Sequence, residues 1–287
     1  MKQNEPTMIA GALASATGKI EYGFTNDYMF RAILQQNKKV LKALIGALLH
    51  LKPENILSVE ITNPIELGKK IDAKEFILDI KISLNNRSTI NLEMQVRNQY
   101  NWEERSLSYL CRSFDQLNSG DEYKKALPAI HIGFLDFTPF PKVPEFYATY
   151  KLLNVKNHHL YSSKFSLGVV DLTKIDLATE EDRKWQIDHW ARLFKAKTWE
   201  DLKMIAKENE AMQEASETLY NMHCEQTIRD MARAREDQLR WENGMKRHIA
   251  DLEADIEKLS SDNEDLSSEL AKKDAKIAEL ERLLNNR

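Results

Sequence analysis

The sequence predicts an α/β fold: a mixed sheet flanked by helices, followed by a helical segment and then a coiled coil. Three observations carry this. Residues 76–97 alternate apolar and polar side chains around a turn, as two paired strands do. Apolar residues recur at helical spacing over 27–49 and again from Glu180 onward. From Ile249 to Leu284 they fall into a 3–4 heptad repeat.

The N-terminus carries the small apolar run MIAGALASA (8–16). It is short and glycine-interrupted, and Glu5 stands where a signal peptide has positive charge. Residues 1–20 are therefore expected to form a flexible tail. Over 27–49, Phe30, Ile33, Leu34, Val40, Leu41, Leu44, Ile45 and Leu48 predict one helix. Leu57 to Ile61 predicts a short strand.

The hairpin comes next. FILDIKISL (76–84) places Phe76, Leu78, Ile80, Ile82 and Leu84 on one face and Ile77, Asp79, Lys81 and Ser83 on the other. INLEMQV (90–96) places Ile90, Leu92, Met94 and Val96 opposite Asn91, Glu93 and Gln95. This is the alternation of half-buried strands, and Asn85-Asn86-Arg87-Ser88 supplies the turn. Like faces must be buried together, so paired positions sum to an even number. A three-residue loop pairs Leu84 with Ser88 and Asp79 with Glu93. A five-residue loop opposes Glu93 to Lys81 and leaves Asp79 one diagonal step away. Either register gathers two carboxylates on the polar face, where like charges destabilise a sheet. A divalent cation removes that conflict; the alternative is a solvated face with Lys81 or Lys74 as neutralising partner. Hard cations take oxygen ligands, commonly one or two carboxylates with water and a substrate phosphate. Two carboxylates on adjacent strands, with a polar side chain two residues on, suit phosphodiester hydrolysis.

After the hairpin the pattern predicts a helix over 102–118 and strands over 129–137, near 146–152 and over 166–171. Helices then run to the end, with Trp185, Trp190, Phe194 and Trp199 packing them against the sheet. In the heptads, Ile249, Ile256, Asn263, Leu270, Ile277 and Leu284 occupy a, and Leu252, Leu259, Leu266, Lys273 and Leu280 occupy d. β-Branched a with Leu at d favours two parallel strands, and a single Asn at a fixes register, so a homodimer is expected; Leu at two a positions leaves a trimer or a heteromeric partner open. At about 1.5 Å per residue the rod would extend roughly 50–60 Å.

An Asp near the end of one strand followed by Glu-x-Lys on the next resembles the core of the PD-(D/E)XK nucleases. With Gln in the lysine position, Glu93-Met94-Gln95 is similar to the recombination-promoting nuclease (Rpn) and transposase branch. Thr25-Asn26-Asp27-Tyr28-Met29-Phe30 resembles its opening Asp-x-x-Phe helix; Lys74, five residues before Asp79, and the LDI–LEMQ pair resemble its catalytic hairpin. Trp102, Arg105 and Tyr109 are similar to its aromatic helix, and HIGFLDF (131–137) and LGVVDLTKI (167–175) to its later strands. The resemblance covers about 20 to 175 and implies a restriction-endonuclease-like sheet. Together with the tail and the heptads it gives an expected organisation of a tail (1–20), a nuclease-like domain (21–175), a helical segment (176–240) and the coil (245–284). It implies that Asp79 and Glu93 hold Mg²⁺ (or Mn²⁺) and that Gln95 orients the attacking water or a phosphate oxygen. Gln is neutral, so it brings no charge to the transition state; Lys81, on the face of Asp79, is the better candidate for a replacement cation, and Asp27 for an outer carboxylate. DNA is the implied partner.

Composition sets limits. Formal charge is −4, and from Trp241 onward twelve Asp/Glu stand against eight Lys/Arg, which accounts for it. The body is therefore neutral, and attraction for a polyanion must come from a patch that folding creates; Lys38, Lys39, Lys42, Lys69 and Lys70 are candidates. Cys111 and Cys224 have no metal spacing, which predicts a reducing, cytoplasmic setting. No segment approaches a membrane span, and no glycine-rich phosphate loop or serine elbow predicts a small-molecule cofactor or nucleophilic serine. Two function classes remain: a dimeric metal-dependent DNA endonuclease, and a nuclease fold kept as a DNA-binding or scaffolding module.

Overall fold

The chain enters the fold through a short helix, α1 (Ala12–Ser15), whose Leu13 is buried, and Ile20 follows it into the core. In this computed structural model residues 11–65, 67 and 79–285 are described. The tail expected over 1–20 is thus anchored from residue 11 onward, while residues 1–10 lie outside the described residues, as do Lys69, Lys70, Lys74 and the leading half of the first hairpin strand.

The helix expected over 27–49 is two helices. Asn26 caps α2 (Asp27–Gln36), accepting from the Met29 amide at 3.1 Å. Asn37 then leaves the helical region (φ −116°, ψ 95°) and caps α3 (Lys38–Leu48), accepting from the Lys39 and Val40 amides at 3.1 and 3.2 Å. An asparagine side chain that bonds to nearby backbone amides offers the chain a way out of the helix, and here it breaks an otherwise continuous apolar pattern.

Three antiparallel strands follow: β1 (Val59–Ile61), β2 (Ile80–Leu84) and β3 (Ser88–Gln95). Leu84 pairs with Ser88 and Ile80 with Leu92, the register of the three-residue loop. Asn85 and Asn86 both take left-handed φ, 53° and 52°, which Asn tolerates better than most residues. Then come α4 (Trp102–Phe114), β4 (Ala129–Leu135), β5 (Tyr147–Lys151) and β6 (Phe165–Asp171). The strands form one six-stranded mixed sheet, ordered β1-β2-β3-β4-β6-β5, in which β3, β4 and β6 are parallel.

Helices cover both faces of this sheet. Ile132 and Phe134 of β4 belong to the main core, where Phe30 of α2, Phe134 and Phe194 meet with ring centroids 5.3–5.5 Å apart. Phe194 lies on α6 (Ile187–Lys195), which follows α5 (Glu180–Lys184). α7 (Trp199–Ala206), α8 (Glu210–Cys224) and the beginning of α9 (Gln226–Asn285) add Leu202, Met212, Leu219, Ile228 and Met231 to the same core. Trp190, Phe194 and Trp199 are buried, whereas Trp185 is half-buried and stacks on His50 at 5.3 Å. The boundary expected at residue 175 therefore does not separate two cores. The opposite face of β4 packs on α4, with Trp102 against Leu135 and Val169. This first unit ends at Arg235, and Glu236–Arg287 form a second. In the second unit, Ile249, Leu252, Ile256, Leu259, Leu266, Leu270, Ile277 and Leu280 are exposed along a single helix.

Candidate active site

The polar face of β3 lies under α4. Asn91 is fully buried, and Asp79, Glu93 and Gln95 are only 4%, 6% and 8% exposed. The expectation of a half-buried strand with a wet polar face is corrected for β3, whose inner run from Ile90 to Gln95 is buried on both faces. The cause is a glycine. β4 pairs Glu93 with Gly133, and a Cβ at Gly133 would meet the Trp102 ring at 2.0 Å. The missing side chain lets the indole lie against β4, which brings α4 down over the hairpin's polar residues.

Backbone contacts fix the end of β2. The Asp79 carbonyl accepts from Arg31, buried on α2, and from Asn63 Nδ2 at 3.0 Å. Extending the β2–β3 register by one step opposes Asp79 to Glu93. Among the described residues neither carboxylate oxygen of Asp79 receives a hydrogen bond.

Glu93 is held from one side. Its Oε1 accepts from Arg105 Nε at 2.7 Å and lies 2.6 Å from Arg105 Nη2. Its Oε2 receives no hydrogen bond among the described residues and lies 3.9 Å from His131 Nε2. Burial raises the Glu93 pKa above the ordinary carboxylate value, Arg105 pulls it back, and the charges of Asp79 and Asp27 push it further up. For Arg105, burial works against the charged form, but Glu93 outweighs it and the pKa is raised. The guanidinium also lies over the Tyr109 ring at 5.2 Å, and Tyr109 stacks on His131 at 5.8 Å. Burial pushes the Tyr109 pKa up as well. His131 Nδ1 is 3.0 Å from the Asn91 amide nitrogen; with that nitrogen donating, the imidazole proton sits on Nε2, facing Glu93. Burial, then Arg105, lowers the His131 pKa to about 3, so the ring is neutral.

Gln95 donates from Nε2 to the Arg97 carbonyl at 3.1 Å, and its Oε1 receives no hydrogen bond among the described residues. Asp27, in the first turn of α2, is paired: Arg235 reaches it with Nε at 3.0 and 2.9 Å and with Nη2 at 2.7 Å. Lys81 is exposed, and the cation in contact with Glu93 is Arg105. The Glu93-x-x…Arg105 connection has a sequence trace only in the similarity of 102–109 to the family's aromatic helix. His131, Arg31 and Arg235 carry no local signal. Alternation along β4 puts His131 on one face with Gly133 and Leu135, and only the structure shows that α4 covers that face.

The chemistry of these atoms can be tested against a cation. Among the described residues, Asp79 Oδ1 and Oδ2, Glu93 Oε2 and Gln95 Oε1 are buried acceptors without donors, a cost that proteins seldom leave uncompensated. All are hard oxygen donors. Among the described residues no group of three or more His, Cys, Asp and Glu forms a metal cluster, and hard divalent cations are commonly held by only one or two carboxylates.

The sequence profile of the PD-(D/E)XK nuclease family transposases matches residues 24–248. The chain belongs to that family. No curated protein and no solved structure matches it. The PD-(D/E)XK match takes in every residue of the candidate site, from Asp27 to Arg235, and extends through the helices after 175 that share the sheet's core. Membership in this nuclease family implies DNA as substrate, and PD-(D/E)XK nucleases typically use divalent metal ions. Among the described residues no helix is long and apolar enough to cross a membrane.

Proposed function

We propose that the chain is a metal-dependent DNA endonuclease that hydrolyses phosphodiester bonds. The observation that carries this reading is a pair of buried carboxylates, Asp79 and Glu93, with three oxygens that receive no hydrogen bond among the described residues. Asp79 and Glu93 would hold Mg²⁺ (or Mn²⁺), with Gln95 Oε1 on the same strand face as Glu93. When bound, such an ion supplies Lewis acidity, lowering the pKa of water and offsetting phosphate charge.

The chain's own residues do the rest. Arg105 fixes the Glu93 side chain through one oxygen and leaves the other free. It also brings to this face the positive charge that Gln95 lacks, from a side chain that is itself partly open to solvent. Gln95 orients the attacking water or a phosphate oxygen through its amide. Asn91 and neutral His131 hold the floor, with a proton directed at Glu93. Asp27 acts through charge alone, since Arg235 occupies both its oxygens.

The exposed apolar stripe of the C-terminal helix supports a parallel coiled-coil homodimer, which pairs two active sites for cutting both strands of a duplex. The family's transposase description supports a role in recombination or element mobility. Both cysteines are free and exposed, which supports a reducing, cytoplasmic setting.

One observation favours a second reading, a nuclease fold retained as an inactive DNA-binding or scaffolding module. Arg105 already occupies Glu93 Oε1, and the motif lysine is Gln95. Supercoiled plasmid separates the two. Nicking or linearisation by wild type with Mg²⁺, lost in EDTA and in Asp79→Ala and Glu93→Ala, supports the enzyme. Undiminished cutting by either variant removes the hairpin from the mechanism, and plasmid bound but uncut by folded wild type supports the scaffold.

A further inference from the structure

Between β5 and β6 the chain leaves the sheet as a two-stranded ribbon. Leu153 and Leu160 form an antiparallel bridge. Tyr161 donates its amide to the Leu152 carbonyl at 3.0 Å, and Asn154 donates to the His159 carbonyl at 2.9 Å. At the tip, His158 donates to the Asn154 carbonyl at 2.8 Å, and the Asn154 side chain accepts from the Lys156 amide at 2.8 Å. The ribbon is thus ordered by its own hydrogen bonds. Yet every residue from Lys151 to Tyr161 is exposed, Val155 to 89% and Tyr161 to 80%. Exposed Leu152, Leu153 and Val155 on an ordered element mark an interaction surface.

Charge identifies the partner. From Phe146 to Val170 there is no Asp or Glu, while Lys151, Lys156, Lys164, His158 and His159 all fall there. Lys164 is used internally, donating from Nζ to the Lys124 and Ala126 carbonyls at 3.1 and 2.7 Å. Lys151 and Lys156 stay exposed. Lys151 also lines a groove of about 310 Å³ at the base of the ribbon, with His50, Thr149 and Ser166. The groove is otherwise largely apolar, and its His50 lies 3.5 Å from Glu181, so the acid-free surface is the ribbon itself. The body as a whole is neutral, so a local surface of this kind has to supply attraction for a polyanion. A two-stranded ribbon is narrow enough to enter a DNA groove. Lysines contact phosphates, while apolar and aromatic groups contact sugars and bases.

We propose that the ribbon Lys151–Lys164 is a duplex-DNA-contacting arm, in which Lys151 and Lys156 meet backbone phosphates and Val155 and Tyr161 meet sugar and base surfaces. The proposal rests on the DNA reading above for the identity of the polymer, but not on cleavage. Full-length protein in EDTA is titrated onto a fluorescein-labelled duplex between about 50 and 200 mM salt. Wild type binds. The Lys151→Ala/Lys156→Ala variant binds roughly tenfold more weakly, and its log–log salt slope falls by about 1.8, or about 0.9 per phosphate lost. Val155→Ser/Tyr161→Ser weakens binding several-fold with the slope unchanged. Circular dichroism and melting temperature stay at wild-type values, because these side chains are exposed. Wild-type affinity and slope in both variants overturn the arm, as does a wild type that binds no DNA. If wild type cuts plasmid while both variants bind normally, the arm alone fails. If the variants lose binding while wild type never cuts, the arm stands and the endonuclease reading fails. A lower subunit count by light scattering with unchanged DNA affinity would make the ribbon a self-association surface and overturn the proposal.

Discussion

Glu93 and Arg105 form a mutual dependence at the centre of the site, because a carboxylate this buried needs a partner for its charge. Breaking a buried pair from one side commonly costs about 3–5 kcal/mol. The Arg105 side chain is 37% exposed, so solvent screens part of the loss, and Arg105→Met should cost roughly 2–3 kcal/mol. Arg105→Met/Glu93→Gln should recover most of it, since no buried charge is then left alone; urea unfolding in EDTA measures the cycle. A single variant as stable as wild type would show that the ion pair is incidental. His131 makes a second prediction. Its folded pKa of about 3 lies below the 6.5 of an ordinary histidine, so between those values the unfolded chain binds a proton that the folded chain refuses. Stability therefore falls as pH drops from about 6.5 toward 3, by roughly 2 kcal/mol at pH 5. His131→Gln removes this component, so its unfolding free energy in EDTA should drop less than wild type's between pH 7 and pH 5. An equal drop would mean that the ring is charged in the fold. Asp79, Glu93 and Gln95 were legible because a period of two fixes which side chains share a face. The partners were not: Arg31 and His131 come from separate elements, and Arg105, though only 12 residues past Glu93, lies on a helix whose placement over the hairpin no strand period fixes.

At the scale of elements, α4 decides what the hairpin becomes. Alternation along β3 reads equally well as a strand wet on one face or as a polar face roofed by a helix, and only Gly133 lets Trp102 close enough for the second. Gly133→Ala places a methyl group inside the indole's space. Overpacking of this kind costs about 1–3 kcal/mol, and the displaced helix carries Arg105 with it. The melting temperature should fall, and Trp102→Phe in the same chain, with its smaller ring, should restore part of the loss. An unaltered melting temperature in Gly133→Ala would mean that α4 adjusts freely and does not fix the site. The hairpin register was legible, since its turn and its apolar faces allowed only two answers. The break between α2 and α3 was less so: the apolar spacing runs straight through Asn37, and a capping side chain outweighs it locally. Residues 152–161 gave an element of another kind, a ribbon without a core, which periodicity cannot announce because among the described residues nothing buries either face.

For the whole molecule the question is where the fold ends and assembly begins. α9 serves both. Its first turns bury Ile228, Met231 and Ala232 in the core, Asn26 Nδ2 donates to the Ala232 carbonyl at 3.1 Å, and Arg235 pairs with Asp27 at 2.7 Å. Its later residues carry the exposed heptad stripe. Two truncations should therefore behave differently. A chain ending at Gly244 keeps every core contact of the helix and loses only the stripe, so it should melt as a folded body while light scattering shows a lower subunit count. A chain ending at Glu225 loses two large buried side chains at about 1.5–3 kcal/mol each and strands Asp27. That sum approaches the whole stability of a typical domain, about 5–15 kcal/mol, so this chain should not fold. Pairing of active sites adds a functional arm: with Mg²⁺, the full chain should linearise plasmid where the Gly244 truncation mainly nicks it, because two strands are cut together only when two sites arrive together. An unchanged subunit count in that truncation would assign dimerisation to the body, and linearisation by a truncation shown to be monomeric would separate double-strand cutting from the coil altogether.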